Sequence, residues 1–360
     1  MFRNVHLWLP YYIQRRFARR RNGNFPITDL FFCICDHFEP YWNNADSTTA
    51  RRRIRRWVDE YPKYAEKHRD SEGRALKYAF FYPEEEYCKY DIEVLSELCR
   101  AGYAEVEIHL HHDNDTPDNL RHKLVEYKKR LHGEHGLLST SRETGEIVYG
   151  FIHGNWALDN SRPDGKWCGV NNEIDILLET GCYADFTMPS APSDTQTKKV
   201  NSIYYALDDP SHPKSHNDGI DACRDYKGEG LLMVQGPLAL NWKCRKFGMF
   251  PGIENGGILG NLRPSKDRIA IWADERIHIS GNPSWVFVKV HTHGAQEGVM
   301  KMLFDEGGFE ELFAGIEAVT AERNIRLHYV CPREMANAIL AVEQGIVSYD
   351  PAIRRLMYVN

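Results

Sequence analysis

The stretch Ala104-Glu-Val-Glu-Ile-His-Leu-His-His-Asp-Asn-Asp-Thr-Pro117 decides how the chain is read. Its first half, 104–110, alternates apolar and polar side chains as a strand does, and a helical pattern starts near Pro117. Between the two lie three histidines and two aspartates in the seven positions 109–115. Strand alternation puts His109 and His111 on one side of the strand end, and a turn after His111 can return Asp113 or Asp115 toward the same point. Imidazole nitrogens and carboxylate oxygens gathered there suit zinc first, with cobalt, nickel, iron or manganese as alternatives. A lone histidine at a strand end is ordinarily a packed residue. This density of donors points instead to a metal or to catalysis.

Outward from this segment, short apolar runs alternate with helical patterns. Strands are predicted over 30–35, 76–82, 104–110, 147–152, 183–187, 202–206, 231–235, 268–272, 285–290 and 326–330. Helices are predicted over 48–68, 90–101, 117–132, 170–180, 297–324 (broken near Gly307-Gly308) and 332–344. In 90–101, Ile92, Leu95, Leu98 and Cys99 share a face, and Gly102 stands where a helix ends. The alternation predicts an α/β protein with a parallel barrel or sheet. At 360 residues a single barrel with insertions is a fitting size.

Three regions depart from the pattern. Residues 1–26 form a basic aromatic arm: Arg3, Arg15, Arg16, Arg19, Arg20 and Arg21 are interleaved with Trp8, Leu9, Tyr11, Tyr12, Ile13 and Phe17, with no acid. The arm either packs on the body or makes peripheral contact with an anionic membrane surface. The long stretch 191–282 is irregular and rich in Pro, Gly, Asn, Asp and Lys, and is expected to border the active end of a barrel. Residues 346–360 form a C-terminal tail after the 27–345 body.

A net charge of -6 excludes a chain that binds polyanions over its whole surface, and no nucleic-acid partner is expected. The nine cysteines are scattered and form no Cys-x-x-Cys pair, which argues against a zinc knuckle and against a disulfide framework. Scattered thiols and an N-terminus without a secretory pattern lead to an expected cytoplasmic location, with membrane association if the arm supplies it.

Three further polar clusters close predicted strands: Cys35-Asp-His-Phe-Glu-Pro40, Phe151-Ile-His-Gly-Asn-Trp156 and Val290-His-Thr-His-Gly294. An Asp-His pair can supply a base and a ligand, although an aspartate at a strand end often only caps a turn. A His-x-His at a strand end is either a metal pair or a packed residue with a neighbour. In barrels the carboxyl ends of the strands carry the active site, so four such clusters at like ends support one another.

The order of these clusters resembles the polysaccharide deacetylase (NodB-homology) family of carbohydrate esterases, over roughly residues 27–345. More closely, Glu105-Val-Glu-Ile-His-Leu-His-His-Asp113, Phe151-Ile-His-Gly-Asn-Trp-Ala-Leu-Asp-Asn160, Ala184-Asp-Phe-Thr-Met-Pro-Ser-Ala-Pro192 and Val288-Lys-Val-His-Thr-His-Gly294 resemble an uncharacterised branch of that superfamily. The resemblance implies a distorted (β/α) barrel and a divalent-metal-dependent hydrolase that removes acetyl groups from a sugar or polysaccharide precursor. It implies Asp36 as catalytic base, and it sets His37 where the family has its metal-binding aspartate. His111 matches the first histidine of the family's His-x-x-x-His, and the second falls on Asp115. A register two residues earlier selects His109 and Asp113. The family's arginine is missing, so His153 or Asn155, beside Trp156, takes its place toward substrate. The late catalytic histidine maps to His293, with His291 next. Trp42, Trp156 and Trp242 are candidate sugar platforms, or ordinary packing residues. The alternatives are a metal-dependent amidohydrolase or phosphoesterase, and a degenerate relative that only binds glycan or scaffolds polysaccharide assembly.

Overall fold

The computed structural model describes residues 4–21, 25–226 and 228–360. Its helices are α1 (Val5–Arg21), α2 (Ser47–Ala65), α3 (Lys89–Arg100), α4 (Pro117–His135), α5 (Glu173–Glu179), α6 (Lys266–Asp274), α7 (Glu297–Met300), α8 (Gly308–Glu322) and α9 (Pro332–Glu343). Its strands are β1 (Asp29–His37), β2 (Tyr78–Pro83), β3 (Ala104–Leu110), β4 (Ser139–Ser141), β5 (Ile147–His153), β6 (Cys182–Asp185), β7 (Ile203–Ala206), β8 (Ile220–Asp221), β9 (Leu231–Val234), β10 (Ala239–Lys246), β11 (Phe250–Glu254), β12 (Gly257–Ile258), β13 (Trp285–Thr292), β14 (Arg326–Tyr329) and β15 (Tyr358–Val359).

The main sheet runs β12-β13-β1-β2-β3-β5-β6-β9-β7-β8, with β14 also on β1. Every pairing from β12 to β9 is parallel. Parallel strands are buried on both faces, and β1, β2, β3 and β13 are buried along their whole length. One face packs against Trp57 and Tyr61 of α2, Leu95 of α3, Leu124 of α4, Trp272 of α6 and Phe309 of α8. The other face, with Phe31, Cys33, Cys35 and Phe81, packs against Met335, Ala338, Ile339 and Val342 of α9.

The fold is thus mixed α/β around one large, mostly parallel sheet. A closed barrel is not formed: among the described residues no pairing joins the β8 and β12 ends. The buried helix α9 covers the second face instead of strands meeting round it.

Other differences from the sequence reading have local causes. Residues 268–272 are helical, not a strand. Ile269, Trp272 and Ala273 share one buried face at helical spacing, and Arg268 and Trp272 both bond Glu254. Within the stretch 191–282, β7 and β9 fall on the predicted strands 202–206 and 231–235 and extend the sheet, while the hairpin of β10 and β11 replaces part of the expected irregular chain. The tail folds back, with β15 on β4 and the buried Arg354 guanidinium on Asp70.

The arm is the helix α1. Its Trp8 and Tyr12 are buried against Ala191, Val200, Leu238 and Ala239, so that face packs on the body. Ile13 and Phe17 remain exposed, and Arg3 lies outside the described residues. Among the described residues no helix is long and apolar enough to cross a membrane.

Candidate metal centre

The carboxyl ends of β1, β3 and β13 meet at one place. In register, Cys35 of β1 lies beside His291 of β13, and Phe81 of β2 lies beside both His37 and Glu107. The pleat carries alternate side chains to one face, so His37, His109 and His291 lie on the face opposite Asp36. Two residues beyond β1, Glu39 reaches the same point. Its Oε1 is 3.4 Å from His109 Nε2 and 3.3 Å from His111 Nε2, and its Oε2 is 3.8 Å from His293 Nδ1. The His37 ring lies 4.8 Å from the His293 ring and 5.1 Å from that of His109, centroid to centroid.

The partners of the remaining ring nitrogens fix the tautomers. His109 Nδ1 is 2.7 Å from the Ile152 carbonyl oxygen, and His111 Nδ1 is 2.5 Å from Glu85 Oε1. A carbonyl and a carboxylate only accept, so both Nδ1 atoms carry protons. In the neutral imidazoles both Nε2 lone pairs then face the Glu39 carboxylate. Acceptors aimed at acceptors need a cation between them or a proton on the ring. Without an ion the proton wins at His111: burial works against its charge, but the bonds to Glu39 and Glu85 outweigh that and lift it to about 10. Burial likewise opposes the charge on Glu39, yet the imidazoles of His109, His111 and His293 around it hold it well below the usual carboxylate range. His37 Nε2 and His293 Nδ1 are buried with no hydrogen-bond partner. Histidine and carboxylate donors within 4.8 Å of one another, with unpartnered nitrogens beside them, fit a divalent ion.

The centre forms the floor of a cleft of about 390 Å³ lined by His37, Glu39, His111 and His293 together with Tyr41, Trp42, Asn43, Asn44, Glu86, Asn155, Trp156 and Gln296. Asn155 and Trp156 sit in left-handed backbone, with φ of 54° and 55°. Such strain in a non-glycine pair is common where a fixed side-chain direction is needed. Glu86 accepts from the Tyr41 backbone N–H; burial, with Glu39 and Glu85 nearby, raises its carboxyl to about 7.

The structure brings together His37, His109, His111 and His293, sets Asn155 and Trp156 in the same cleft, and places Asp36, Asp113, Asp115 and His153 elsewhere. Asp115 is not at this centre. Its Oδ2 lies 3.1 Å from His112 Nδ1, because the chain turns at Asn114 and ties the Asp115 N–H to the Cys168 carbonyl. Asp113 is exposed and accepts from the Trp167 N–H. His153 does not reach the cleft; it is fully buried with its Nε2 2.8 Å from His112 Nε2. Asn155 and Trp156 do line the cleft, while the exposed Trp242 does not.

Asp36 lies outside the cleft lining. Its Oδ1 accepts from the Gly294 N–H at 2.6 Å and its Oδ2 from the Tyr78 hydroxyl at 3.0 Å. A side chain at Gly294 would collide with it. Burial lifts the Asp36 carboxyl to about 7, against the pull of those bonds. Asp36 therefore fixes the turn that carries His293. His291 is buried below, at the β12 edge, where Gly257 passes close to its ring. No described residue of 191–282 lines the cleft, so the expected border shrinks to this contact.

Sequence reasoning missed Glu39, Glu85 and Glu86. Only Glu39 carried a signal, the same-face spacing His37-x-Glu39 at a strand end. The chain matches no protein-family model and no curated protein.

Proposed function

We propose that this protein is a divalent-metal-dependent hydrolase of the deacetylase type, acting on an N- or O-acetylated sugar or polysaccharide precursor. The observation that carries the reading is the convergence of the His109 and His111 Nε2 atoms on Glu39 at the floor of an open cleft. Glu39, His109 and His111 would hold the ion, with zinc the best fit to two imidazoles and a carboxylate. An ion bound there would supply Lewis acidity toward a carbonyl and would make water more acidic.

The chain's own groups then have separable tasks. Glu86, with its carboxyl near neutrality, accepts the proton of the attacking water. His293, held by the Asp36–Gly294 bond, donates a proton to the leaving amine or alcohol. Trp42 and Trp156 offer ring faces to a sugar, and Asn43, Asn44, Asn155 and Gln296 offer amides to its hydroxyls and acetyl group. The test is metal analysis of the full chain followed by a screen of acetylated glycans. Protein that binds no ion under zinc, cobalt or manganese would sink the reading and leave a glycan-binding relative.

A specific observation favours a second reading. Glu39 Oε2 turns toward His293, and His37, Glu39 and His293 form another donor set within 4.8 Å. Two ions held by these two sets, which share Glu39, would suit a phosphoesterase or an amidohydrolase, with His293 a ligand rather than an acid. Two ions at this centre with phosphatase turnover would select it.

A further inference from the structure

A second cluster lies behind the first, where His112, His153, Cys168 and Glu173 offer donor atoms all within 4.8 Å of one another. His112 Nε2 is 2.8 Å from His153 Nε2 and 3.3 Å from Glu173 Oε1. Glu173 Oε2 is 3.5 Å from His153 Nε2 and 3.4 Å from Cys168 Sγ. The side chains of His112, His153 and Glu173 are 0% exposed, and Cys168 is also fully buried.

The outer partners again fix the tautomers. His112 Nδ1 faces the Asp115 carboxylate, and His153 Nδ1 faces the Gly154 carbonyl at 2.6 Å. Both Nδ1 atoms therefore carry protons, and in the neutral rings two bare Nε2 lone pairs point at each other beside a carboxylate. Such a carboxylate–histidine pair is the usual outer support of a coordinating imidazole. Glu173 Oε1 is buried and makes no hydrogen bond, although it faces this point. The Cys168 sulfur accepts from the backbone N–H groups of Asn160 and Val170, at 3.2 and 3.4 Å, and its S–H reaches the Glu173 carboxylate and the Val170 carbonyl, each at 3.4 Å, so the sulfur is fixed toward this point.

We propose that His112, His153, Cys168 and Glu173 bind a second divalent ion of the zinc class in a closed, structural four-donor site. Two nitrogens, one sulfur and one carboxylate oxygen complete a tetrahedral set, so no position is left for substrate. The ion ties the loop after β3 to the end of β5 and to the start of α5. Between His153 and Cys168 the chain has only single helical turns, and it carries Asn155 and Trp156 to the cleft. The closed ion thus braces one wall of the cleft.

Sulfur distinguishes this site, since the open centre has no cysteine among its donors. The experiment is X-ray absorption at the zinc edge on the full chain loaded with zinc, beside metal counting. Wild type and Glu39→Ala should show a sulfur neighbour at about 2.3 Å. Cys168→Ser should lack that neighbour and hold one ion fewer per chain. If Cys168→Ser does not fold, the wild-type spectrum decides alone. Absence of sulfur in wild type, or its persistence in folded Cys168→Ser, overturns the proposal; the two imidazoles then share a proton.

Discussion

His111 and His112 are neighbours in sequence and belong to different clusters. His111 looks into a cleft and shares Glu39 with His109 of β3, the strand it follows, and with His293 just beyond β13. His112 turns inward to a cluster sealed by Cys168 and Glu173. Both rings are held at Nδ1 by a carboxylate and present Nε2 to their cluster. What differs is access and the fourth donor. An open set of histidines around a carboxylate leaves room for water and substrate, whereas a buried set that includes a cysteine sulfur does not. Donor type alone therefore does not mark a catalytic site; the surface reached by the donors does.

The largest effect should come from Glu39→Ala. Glu39 is the one group common to both donor sets of the open centre. Its removal should abolish ion binding there and reduce turnover to background, while the sulfur-bound ion stays. Metal counting beside activity checks this, and an unchanged ion count would break the distinction between the clusters.

Next come the two groups that face the cleft without being needed to hold the ion. Glu86→Gln should keep the ion and lower kcat by roughly 10²–10⁴, the usual contribution of a general base. His293→Ala should resemble it for substrates with poor leaving groups and lose less with an activated ester. Loss of ion from His293→Ala would make His293 a ligand and favour the two-ion reading.

A smaller effect on turnover is expected at Asp36. Asn in its place offers one acceptor where two donors now converge. Asp36→Asn should cost about 1–3 kcal/mol of stability, the penalty of an unsatisfied buried group. Turnover should fall by no more than about tenfold, or about 1.4 kcal/mol of barrier. Denaturant melts and kcat on the same preparation check it; a loss as deep as that of Glu86→Gln would restore Asp36 as the base.

Much of this arrangement was legible in the sequence, for a physical reason. Strand and helix periods are local, so β1, β3, β13 and α4 could be read with small errors at their ends, and the histidines at the strand ends with them. Contacts that depend on a turn were not legible. Asp115 was read toward His111, but one left-handed residue, Asn114, sends it to His112. Cys168 and Glu173 are remote in sequence from His112 and sit in no recognisable spacing, so the absence of Cys-x-x-Cys hid them. Barrel closure was also beyond local patterns, since α9 carries the same periodicity whether it packs outside a barrel or against the sheet face it covers here.

Glu343, in neither cluster, supplies the control, and its loss should leave turnover unchanged. In the two clusters imidazoles keep Glu39 and Glu173 ionised against burial. Glu343 has only the Tyr205 hydroxyl on Oε2, at 2.9 Å, and burial raises its carboxyl to about 7. Its folded-state value thus lies above the unfolded one of 4.5. At low pH both states hold the proton. Between about 4.5 and 7 the unfolded chain has released it and the folded chain has not, so stability falls as pH rises through that window and levels off above it. The full drop is on the order of 3 kcal/mol at most, at about 1.4 kcal/mol per pH unit. Glu343→Gln removes this slope: the variant should match wild type near pH 5 and be the more stable near pH 8. Denaturant melts at the two pH values test it. Parallel losses in both proteins would mean that Glu343 reaches water and stays ionised, and burial without an imidazole would then not be what separates it from Glu39 and Glu173.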